Sequence, residues 1–507
     1  MSQEESSTTR ERLSSGRLLA RNTGFSLAGQ AATLIVAFFA VPLLVQGLGT
    51  ARFGVLALAW VVIGYAQIFD LGIGRALTRF VSERIGAGRE DEVPRLFWTA
   101  FAGMLVLGLA AGTAVALAAP WLVGSVLDVP PDLERETVHA FWVLAGGLPL
   151  AISGAALRAY LEAWQRFDLV NAVVIPAAVL TYFGPVLMLQ FEDSLVAVVA
   201  AVVFSRVLSF TVNVLLVFRI TPALRRARGL HRSLLRPLVG FGVWVTVWNV
   251  VNAFLIAADR FIVGALVSLT AVAYFATPYE VMTKLLVVSV MLAGVFFPAF
   301  SLTLEESPRR AAPIFSGGIR FGFIALFPVV LATVAFASEG LDLWLGPAFA
   351  ENSEVVLQWL AVGVLVASLN QIGLGLVQSA RPDLPAKLAL VELPLYLGLF
   401  LLLLGAYGIE GAAAAWAVRA GVEGVVLLLM VRRLAPDAVA ALGRLGAAAA
   451  GAAVALVAAA LLDDVAARAA LVAGVLFLFA PLAWFQILGA GERDLVVTRL
   501  RAARGAA

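Results

Sequence analysis

The sequence predicts an all-α integral membrane protein with about 14 transmembrane helices, arranged as two six-helix halves followed by two additional C-terminal helices. Three features predict this fold class: the scarcity of charged residues, the number of long apolar runs, and the alternation of basic residues between successive connecting segments. Only 14% of the 507 residues are charged, whereas a typical soluble domain carries about 25%. The mean hydropathy is +0.96. Most of the protein surface must therefore contact lipid rather than water.

Fourteen apolar runs are long enough to cross a bilayer, which requires about 20 mostly apolar residues. They cover residues 22–48, 52–74, 96–124, 138–162, 168–190, 194–218, 237–267, 270–302, 314–337, 353–379, 386–405, 408–431, 446–462 and 468–489. The polar segments between them are too short to form a domain outside the membrane.

The basic residues of the connecting segments predict the orientation. With the N-terminus in the cytoplasm, 27 of the 36 lysines and arginines fall in cytoplasmic segments, and three (Arg52, Arg135 and Arg468) fall in outer segments. Lysine and arginine in short loops are retained on the cytoplasmic side. We therefore expect a multi-pass protein of the cytoplasmic (inner or plasma) membrane with both termini in the cytoplasm.

The largest basic segment, residues 219–236, contains six arginines and is expected to join the two halves. Because each half begins on the cytoplasmic side, the halves form a parallel pseudo-repeat, related by an axis along the membrane normal. The predicted organisation is a cytoplasmic N-terminal tail (1–21), an N-terminal transmembrane half (22–218), a basic cytoplasmic linker (219–236), a C-terminal transmembrane half (237–431), two additional helices with their loop (432–489) and a cytoplasmic tail (490–507).

Several classes of function are disfavoured by residues that the chain lacks. It has no cysteine, and its two histidines, His139 and His231, are unrelated in sequence, so we expect no metal site. Without a Walker A sequence, a nucleophile elbow or a His-Glu-x-x-His run, we expect no catalytic residues, no cofactor and no enzymatic activity. The basic residues are dispersed among many segments, which disfavours nucleic acid as a partner and favours contact with anionic membrane lipids.

Charged residues inside the apolar runs are the best candidates for function, because charge in hydrocarbon is costly and usually faces a cavity or a partner. Glu280 and Lys284 have the i,i+4 spacing of an ion pair and lie about 15 and 20 Å from the outer end of their run, near the midplane. The same spacing relates Arg158 to Glu162 and Arg419 to Glu423. The alternative for each pair is that the two residues only neutralise each other.

Other polar residues in the apolar runs lack such a local partner. Arg206 and Glu392 stand alone in the sixth and eleventh runs, and each either binds substrate or an ion or pairs across helices. Asparagines in the seventh run line a cavity or bond to a neighbouring helix. The predicted substrate or ion cavity candidates are Glu280, Lys284, Arg260, Asp259, Asn249, Asn252 and Glu392.

The inner end of the second run carries a further polar group. Asp70 is followed by Gly72-Ile-Gly74, which lies at the end of an apolar helix and is not preceded by a strand, so it is not a dinucleotide loop. Asp70, Arg75 and Arg79 are the predicted cytoplasmic gate residues.

Several short motifs resemble those of a known family. Near the N-terminus they are Asn22-Thr-Gly, Pro42-Leu-Leu, Gly47-Leu-Gly-Thr-Ala-Arg-Phe-Gly54 and Phe69-Asp-Leu-Gly-Ile-Gly-Arg-Ala-Leu-Thr-Arg79. Further along they are Asp259-Arg260, Ala273-Tyr274, Phe297-Pro298 and Leu343-Trp-Leu-Gly-Pro347. Together with the fourteen-helix plan, these motifs resemble the O-antigen-type (Wzx-like) polysaccharide flippases of the multidrug/oligosaccharidyl-lipid/polysaccharide exporter superfamily.

The resemblance implies a flippase that moves a lipid-linked (polyprenyl-pyrophosphate) oligosaccharide to the outer leaflet by alternating access. It implies a cationic central cavity lined by helices one, two, seven and eight, which favours Lys284 and Arg260 over Arg206 and Arg419. The expected partners are the lipid-linked oligosaccharide, membrane lipids, a polysaccharide polymerase and glycosyltransferases.

Other functions stay open on the sequence alone. A multidrug or small-molecule exporter of the same superfamily would need an acidic or aromatic cavity. A membrane-embedded transferase or polymerase is disfavoured by the short loops and scarce histidines, and a receptor or assembly scaffold is the last alternative. Because the chain has no ATP-binding motif, a transporter would run downhill or use an ion gradient, with Glu280 and Glu392 as the proton or sodium candidates.

Overall fold

Helix is the only regular structure in the part of the chain that the computed structural model describes. The described residues are 16–64, 72–225, 258–286, 308–381, 383–489 and 493. The chain divides into two compact units, Met1–Ala273 and Tyr274–Ala507. The predicted domain boundaries stay predictions, because residues 226–257, which include most of the linker, lie outside the described part.

The first unit is built from long helices joined by short turns. Its described helices are α1 (Gly16–Gly64), α2 (Ile73–Gly86), α3 (Val93–Trp121), α4 (Pro131–Ala163), α5 (Phe167–Met188), α6 (Leu195–Ile220) and α7 (258–266). Helix α8 (Leu269–Lys284) begins in this unit and ends in the second.

The second unit has the same character. Its further helices are α9 (Pro308–Ala335), α10 (Ala337–Leu345), α11 (Pro347–Ala380), α12 (Asp383–Leu434), α13 (Pro436–Ala440), α14 (Gly443–Leu461) and α15 (Val465–Leu482). Helix α10 is short and lies between two long apolar helices, as expected for a connection at the membrane surface.

Two helices, α1 and α12, each contain two of the predicted runs. Gly49 (φ 74°) interrupts α1 between the first and second runs, and Gly408 (φ 61°) interrupts α12 between the eleventh and twelfth. A positive φ is accessible to glycine without the steric penalty of a Cβ. A Cβ on Gly411 would overlap the carbonyl oxygen of Leu403, so the chain folds back on itself across Gly408.

The described helices account for most of the predicted spans. Nine helices in the described ranges are long and apolar enough to cross a membrane. Because α1 and α12 each hold two runs, these nine contain eleven of the fourteen. The thirteenth run corresponds to the shorter apolar helix Leu445–Leu461. The seventh and eighth runs coincide in part with α7 and α8 and otherwise lie outside the described residues.

Small residues allow α3 and α4 to pack closely. A Cβ on Gly108 would lie 2.7 Å from the Cα of Pro149, and a Cβ on Gly112 would lie 2.6 Å from the carbonyl oxygen of Ala145. Membrane helices use such small-residue contacts because lipid supplies no hydrophobic force between them. This close contact positions α4, whose residues between 150 and 158 line a cavity.

Polar contacts hold α6 at both ends. At its start, the Glu136 carboxylate accepts hydrogen bonds from the backbone N–H of Leu195 at 2.6 Å and from Arg52 Nε at 3.1 Å. Just beyond its end, the Tyr160 hydroxyl contacts the Thr221 hydroxyl at 2.7 Å. A helix held at both ends keeps the side chains at its centre in a defined position.

Two arginine contacts attach the last two helices to α9 and α10. Arg468 of α15 donates from Nη1 to the carbonyl oxygen of Ala335 at 2.7 Å and forms an ion pair with Glu339. At the other end, Arg320 Nη2 donates to the carbonyl oxygen of Ala441 at 2.8 Å. The two additional C-terminal helices are therefore integral to the second unit.

The inner end of the second run differs from its prediction. The run was expected to continue to residue 74, but Gly72 has a φ of 69° and precedes a separate helix, α2. One face of α2 is buried, including Ile73 and Leu77, whereas Arg75 and Arg79 are exposed. Because a left-handed glycine breaks the helix, Arg75 and Arg79 belong to an amphipathic helix and not to the second span.

Candidate functional site

A polar cavity lies within the first unit, between α1, α4, α5 and α6. Its volume is about 290 Å³. The walls are mainly small and apolar, and the polar groups that reach the cavity belong to Thr33, Arg158, Thr181, Tyr182, Arg206, Ser209 and Asn213. We refer to it as the Arg206 cavity.

The two arginines of the cavity differ in their partners. Arg158 Nε donates to Glu162 Oε1 at 2.8 Å, which confirms the predicted i,i+4 pair. The Nε–H of Arg206 is buried and finds no hydrogen-bond acceptor among the described residues. No carboxylate in the same ranges lies within ion-pair distance of it. Arg206 therefore gives the cavity an uncompensated positive charge.

The hydroxyl and amide groups next to Arg206 are engaged with their own helices. Thr181 Oγ1 lies 3.0 Å from Ser205 Oγ and also donates to the carbonyl oxygen of Ala177. Ser209 Oγ donates to the carbonyl oxygen of Ser205 at 2.6 Å, and Asn213 Nδ2 donates to that of Ser209. The Thr181–Ser205 contact joins α5 to α6, and the Arg206 Nε–H is left without an acceptor among the described residues.

Arg206 lies near the centre of the membrane. It is 11 residues from the start of α6 and 14 from its end, or about 16 and 21 Å along the helix axis. An arginine at the centre of a transmembrane helix is unfavourable by about 2.5–3.5 kcal/mol on insertion scales. An anion that binds to the guanidinium would offset that cost.

Glu280 and Lys284, the predicted midplane pair, lie at the C-terminal end of α8. Lys284 Nζ is 3.4 Å from Glu280 Oε2, so the predicted ion pair is confirmed. The side chain of Glu280 is 42% exposed and that of Lys284 is 38% exposed, so both are accessible to a further ligand. Their role in binding substrate or an ion stays a prediction.

Asp259 and Arg260 lie in α7 and are almost fully buried, with 0% and 3% exposure. Burial of two adjacent, oppositely charged residues is consistent with an internal polar site, and their assignment to a substrate cavity stays a prediction. Asn249 and Asn252, the other candidates from the seventh run, lie outside the described residues.

Glu392 forms its ion pair across the hairpin of α12. Arg419 Nη1 lies 3.1 Å from Glu392 Oε1, and the side chains are only 11% and 12% exposed. Glu423, which was expected to pair with Arg419, instead accepts a hydrogen bond from Asn370 Nδ2 at 3.3 Å. The Arg419–Glu423 pairing was wrong because the antiparallel segment of α12 places a second carboxylate closer to the guanidinium.

The predicted gate residues are only partly described. Asp70 lies outside the described residues. Arg75 and Arg79 are exposed on α2, where Arg79 Nε donates to Glu83 Oε1 at 2.7 Å. Their function as a gate stays a prediction.

Sequence reasoning missed the aromatic environment of Arg419. The guanidinium carbon lies 5.4 Å from the ring centre of Tyr396 and 5.8 Å from that of Trp416. Tyr396 is four residues after Glu392, and Trp416 is three residues before Arg419. That spacing places each ring on the same helix face as the charge beside it, and it was the available signal.

Comparison with known proteins adds independent information. A family model described as "Polysaccharide biosynthesis protein" matches residues 43–355. The chain is 26% identical over 419 residues to a protein of Shigella flexneri named "Putative O-antigen transporter", which covers 82% of this chain and 98% of the relative.

Two solved structures are similar in fold. An inward-facing multidrug resistance MATE family transporter of the MOP superfamily aligns with a TM-score of 0.69 at 15% identity, covering 80% of this chain and 95% of that one. The lipid II flippase MurJ, in an inward closed conformation, aligns with a TM-score of 0.68 at 11% identity, covering 93% of this chain and 99% of that one. These likenesses confirm the predicted all-α transmembrane fold.

Proposed function

The chain belongs to the polysaccharide biosynthesis protein family, as its motifs predicted, and from this membership we propose that it flips a lipid-linked (polyprenyl-pyrophosphate) oligosaccharide across the cytoplasmic membrane. A curated relative that spans most of the chain carries the name of an O-antigen transporter. A protein with the same fold is a lipid II flippase. Family, relative and fold together support a lipid-linked sugar as the cargo.

The structural observation that carries this proposal is the unpaired charge of Arg206 in a membrane cavity. A pyrophosphate-linked glycan cannot cross hydrocarbon unaided, because moving its charges out of water costs many kcal/mol. A guanidinium offers two parallel N–H groups that match the oxygens of a phosphate. The Arg206 cavity places such a group near the bilayer centre, where the cost is highest.

The same charge argues against a multidrug exporter of the same fold. An exporter of organic cations needs a cavity that attracts positive charge, whereas Arg206 repels it. We infer transport by alternating access, in which the cavity opens to each side in turn and no covalent bond of the cargo is made or broken.

Deletion of the gene separates these two functions. A flippase deletion should leave lipid-linked oligosaccharide repeat units on the cytoplasmic face of the membrane and reduce the surface glycan. Complementation with the intact gene should restore both. A deletion strain that builds its surface glycan normally and becomes sensitive to cationic drugs would overturn the flippase in favour of the exporter.

We propose that both termini are cytoplasmic and that the protein partners are the glycosyltransferases that build the cargo and the polymerase that consumes it. Because the chain has no cysteine, single cysteines report the topology cleanly. Leu343, which is 91% exposed on α10, is a better outer probe than Glu339, whose carboxylate pairs with Arg468.

The topology test uses an impermeant thiol reagent on intact cells. Leu343→Cys should be labelled directly, whereas Arg433→Cys, at the exposed predicted cytoplasmic end of α12, should be labelled only after lysis. The reverse pattern at either position would contradict the proposed orientation.

A further inference from the structure

Three aromatic rings join the start of α3 to the end of α6 in the first unit. The Trp98 ring centre lies 6.2 Å from that of Phe218 in α6 and 5.8 Å from that of Phe101 in α3. Both helices pack on α4, and the three rings are half-buried against the core that α4 helps to form. Each ring therefore keeps part of its surface outside the core. We call Trp98, Phe101 and Phe218 the aromatic seam.

The aromatic seam runs inward from the membrane boundary. Phe218 is two residues from the end of α6, and Trp98 and Phe101 are five and eight residues from the start of α3, or about 3, 8 and 12 Å along the helix axes. At the inner end, the Phe101 ring lies 6.3 Å from that of Phe210, which lines the Arg206 cavity. Tryptophan is enriched at the level of the lipid headgroups. The seam therefore covers the depth of a headgroup and the first part of an acyl chain.

The segment that follows α6 is fixed on the seam. Trp98 Nε1 donates to the carbonyl oxygen of Leu224 at 2.9 Å, and the Leu224 side chain is fully buried. These contacts position Arg225, whose guanidinium carbon lies 5.6 Å from the Phe218 ring centre. A positive charge is thereby held over the end of the seam that lies at the membrane boundary.

Two further arginines lie beside this end of the seam. Arg219 follows Phe218 in the chain, and Arg95 is about one helical turn before Trp98. Like Arg225, both are exposed. In the ranges that the structure describes, no carboxylate lies within ion-pair distance of any of the three.

The nearby carboxylates do not cancel this charge. Glu92 is already shared by Arg84 at 3.1 Å and Arg89 at 3.5 Å. Glu90 and Asp91, which precede α3, are exposed and form no ion pair with a described residue. Even when these two carboxylates are counted against the three arginines of the seam, one positive charge remains.

We propose that the aromatic seam binds one anionic phospholipid, with the phosphate at Arg95, Arg219 and Arg225 and an acyl chain along the three rings. A guanidinium matches the oxygens of a phosphate with parallel N–H groups, and basic residues at the membrane surface attract anionic lipids. The site does not depend on the proposed flippase function. The proposed orientation places it at the cytoplasmic face, so the lipid comes from the inner leaflet.

A phospholipid fits the seam better than the glycan-bearing cargo does. Sugar hydroxyls need hydrogen-bonding partners, whereas the seam offers aromatic rings, and the indole N–H of Trp98 is already engaged with Leu224. A free phosphate ion would leave the rings without a contact. A diacyl lipid packs hydrocarbon against the rings and presents its phosphate to the arginines at the same time.

The test is photolabelling of the purified full-length protein in phosphatidylcholine nanodiscs. A trace of phosphatidylglycerol with a photoreactive group in its acyl chain is added without cargo, and the labelled residues are mapped by mass spectrometry. The label should concentrate on residues 96–104 of α3 and 214–220 of α6, and unlabelled phosphatidylglycerol should displace it. Label spread evenly over the transmembrane helices, or equal labelling of the seam by a matched phosphatidylcholine probe, would overturn the proposal.

Competitors separate the sources of the phosphate. Neither inorganic phosphate nor polyprenyl pyrophosphate should displace the label as well as phosphatidylglycerol does. Stronger displacement by inorganic phosphate would overturn the lipid in favour of a free anion. Stronger displacement by polyprenyl pyrophosphate would overturn the phospholipid in favour of the cargo.

A pair of matched variants tests the charge. Each arginine near the membrane surface contributes about fivefold to the binding of an anionic lipid, so Arg219→Gln/Arg225→Gln should weaken displacement by phosphatidylglycerol about 30-fold. Arg432→Gln/Arg433→Gln removes the same charge from exposed positions in the last turn of α12 and should leave the affinity of the seam unchanged. An unchanged affinity in the first variant, or an equal loss in both, would overturn the proposal.

The wild-type label map decides the proposal even if a variant does not fold, because it needs no substitution. Since the probe is a phospholipid and no cargo is present, a failed photolabelling experiment leaves the flippase function untouched. In the same way, a failed flipping assay leaves the lipid site untouched.

Discussion

Replacement of Arg206 by methionine should make the protein more stable and less active. The guanidinium has no acceptor in the described part of the chain, and it lies near the bilayer centre. Methionine keeps most of the length of the side chain and removes the charge. The substitution therefore removes a buried charge that destabilises the folded protein. It also removes the guanidinium that would stabilise the complex with the cargo.

The two effects can be estimated separately. Insertion scales place the penalty for a central arginine at about 2.5–3.5 kcal/mol, and contact with the polar cavity reduces it, so we expect a stability gain of about 1–2 kcal/mol. A hydrogen bond to a charged group contributes about 1.5–3 kcal/mol. Loss of that contact to a phosphate in the transition state corresponds to a decrease of about 10- to 150-fold in transport rate.

The assay pairs thermal unfolding in nanodiscs with transport of a lipid-linked oligosaccharide in liposomes. Arg158→Met is the matched control, because Arg158 lines the same cavity, is about half exposed and already pairs with Glu162. An exposed i,i+4 pair contributes only about 0.3–0.5 kcal/mol, so the control should be slightly destabilised. A lower unfolding temperature for Arg206→Met, or unchanged transport, would refute the reasoning.

Three further predictions concern residues of the second unit. Arg468→Met should lower stability by about 1–3 kcal/mol, because it leaves the buried carbonyl oxygen of Ala335 without its donor and removes the ion pair to Glu339; an unchanged unfolding temperature would contradict the attachment of α15. Gly363→Ala should cost about 1–3 kcal/mol through overpacking, since its Cβ would lie 2.6 Å from the tryptophan ring that packs on it. Gly421→Ala, with no neighbouring atom within 4 Å, is the control and should not lose stability, because alanine is the better helix former. The double variant Glu280→Gln/Lys284→Met should abolish transport without loss of membrane insertion; normal transport would show that the pair only neutralises itself.

The membrane fold could be predicted because its causes are local. Twenty apolar residues form a helix in lipid whatever surrounds them, since each backbone group must bond within its own segment. The turn at Gly408 could also be predicted from the sequence, because a glycine between two apolar runs marks a break. The end of the second span was placed too late, because an amphipathic helix such as α2 continues the apolar pattern past the left-handed Gly72.

The charge pairing could be predicted only where it is local. Arg158–Glu162 and Glu280–Lys284 follow from i,i+4 spacing alone. The partner of Arg419 depends on which residue the antiparallel segment of α12 places opposite it, and the sequence does not contain that register. The i,i+4 rule therefore selected Glu423, although Glu392 is the residue in contact.

Arg206 shows the limit of reasoning from a family resemblance. As a charge without a local partner, Arg206 was a candidate for binding substrate or an ion. The resemblance, however, favoured helices one, two, seven and eight over the sixth helix, which carries Arg206. The structure places it in a polar cavity without an acceptor among the described residues. Whether an arginine inside the membrane is neutralised depends on side chains from other helices, which only the tertiary structure brings together.

The central claim is that this protein moves a lipid-linked oligosaccharide between leaflets without chemical change. The most direct measurement uses purified protein in liposomes with a labelled polyprenyl-pyrophosphate oligosaccharide and a membrane-impermeant probe of the outer leaflet. The label should exchange between leaflets at a rate that depends on the protein and not on ATP, with the sugar chain length unchanged. A rate equal to that of protein-free liposomes, or a requirement for ATP, would contradict the account.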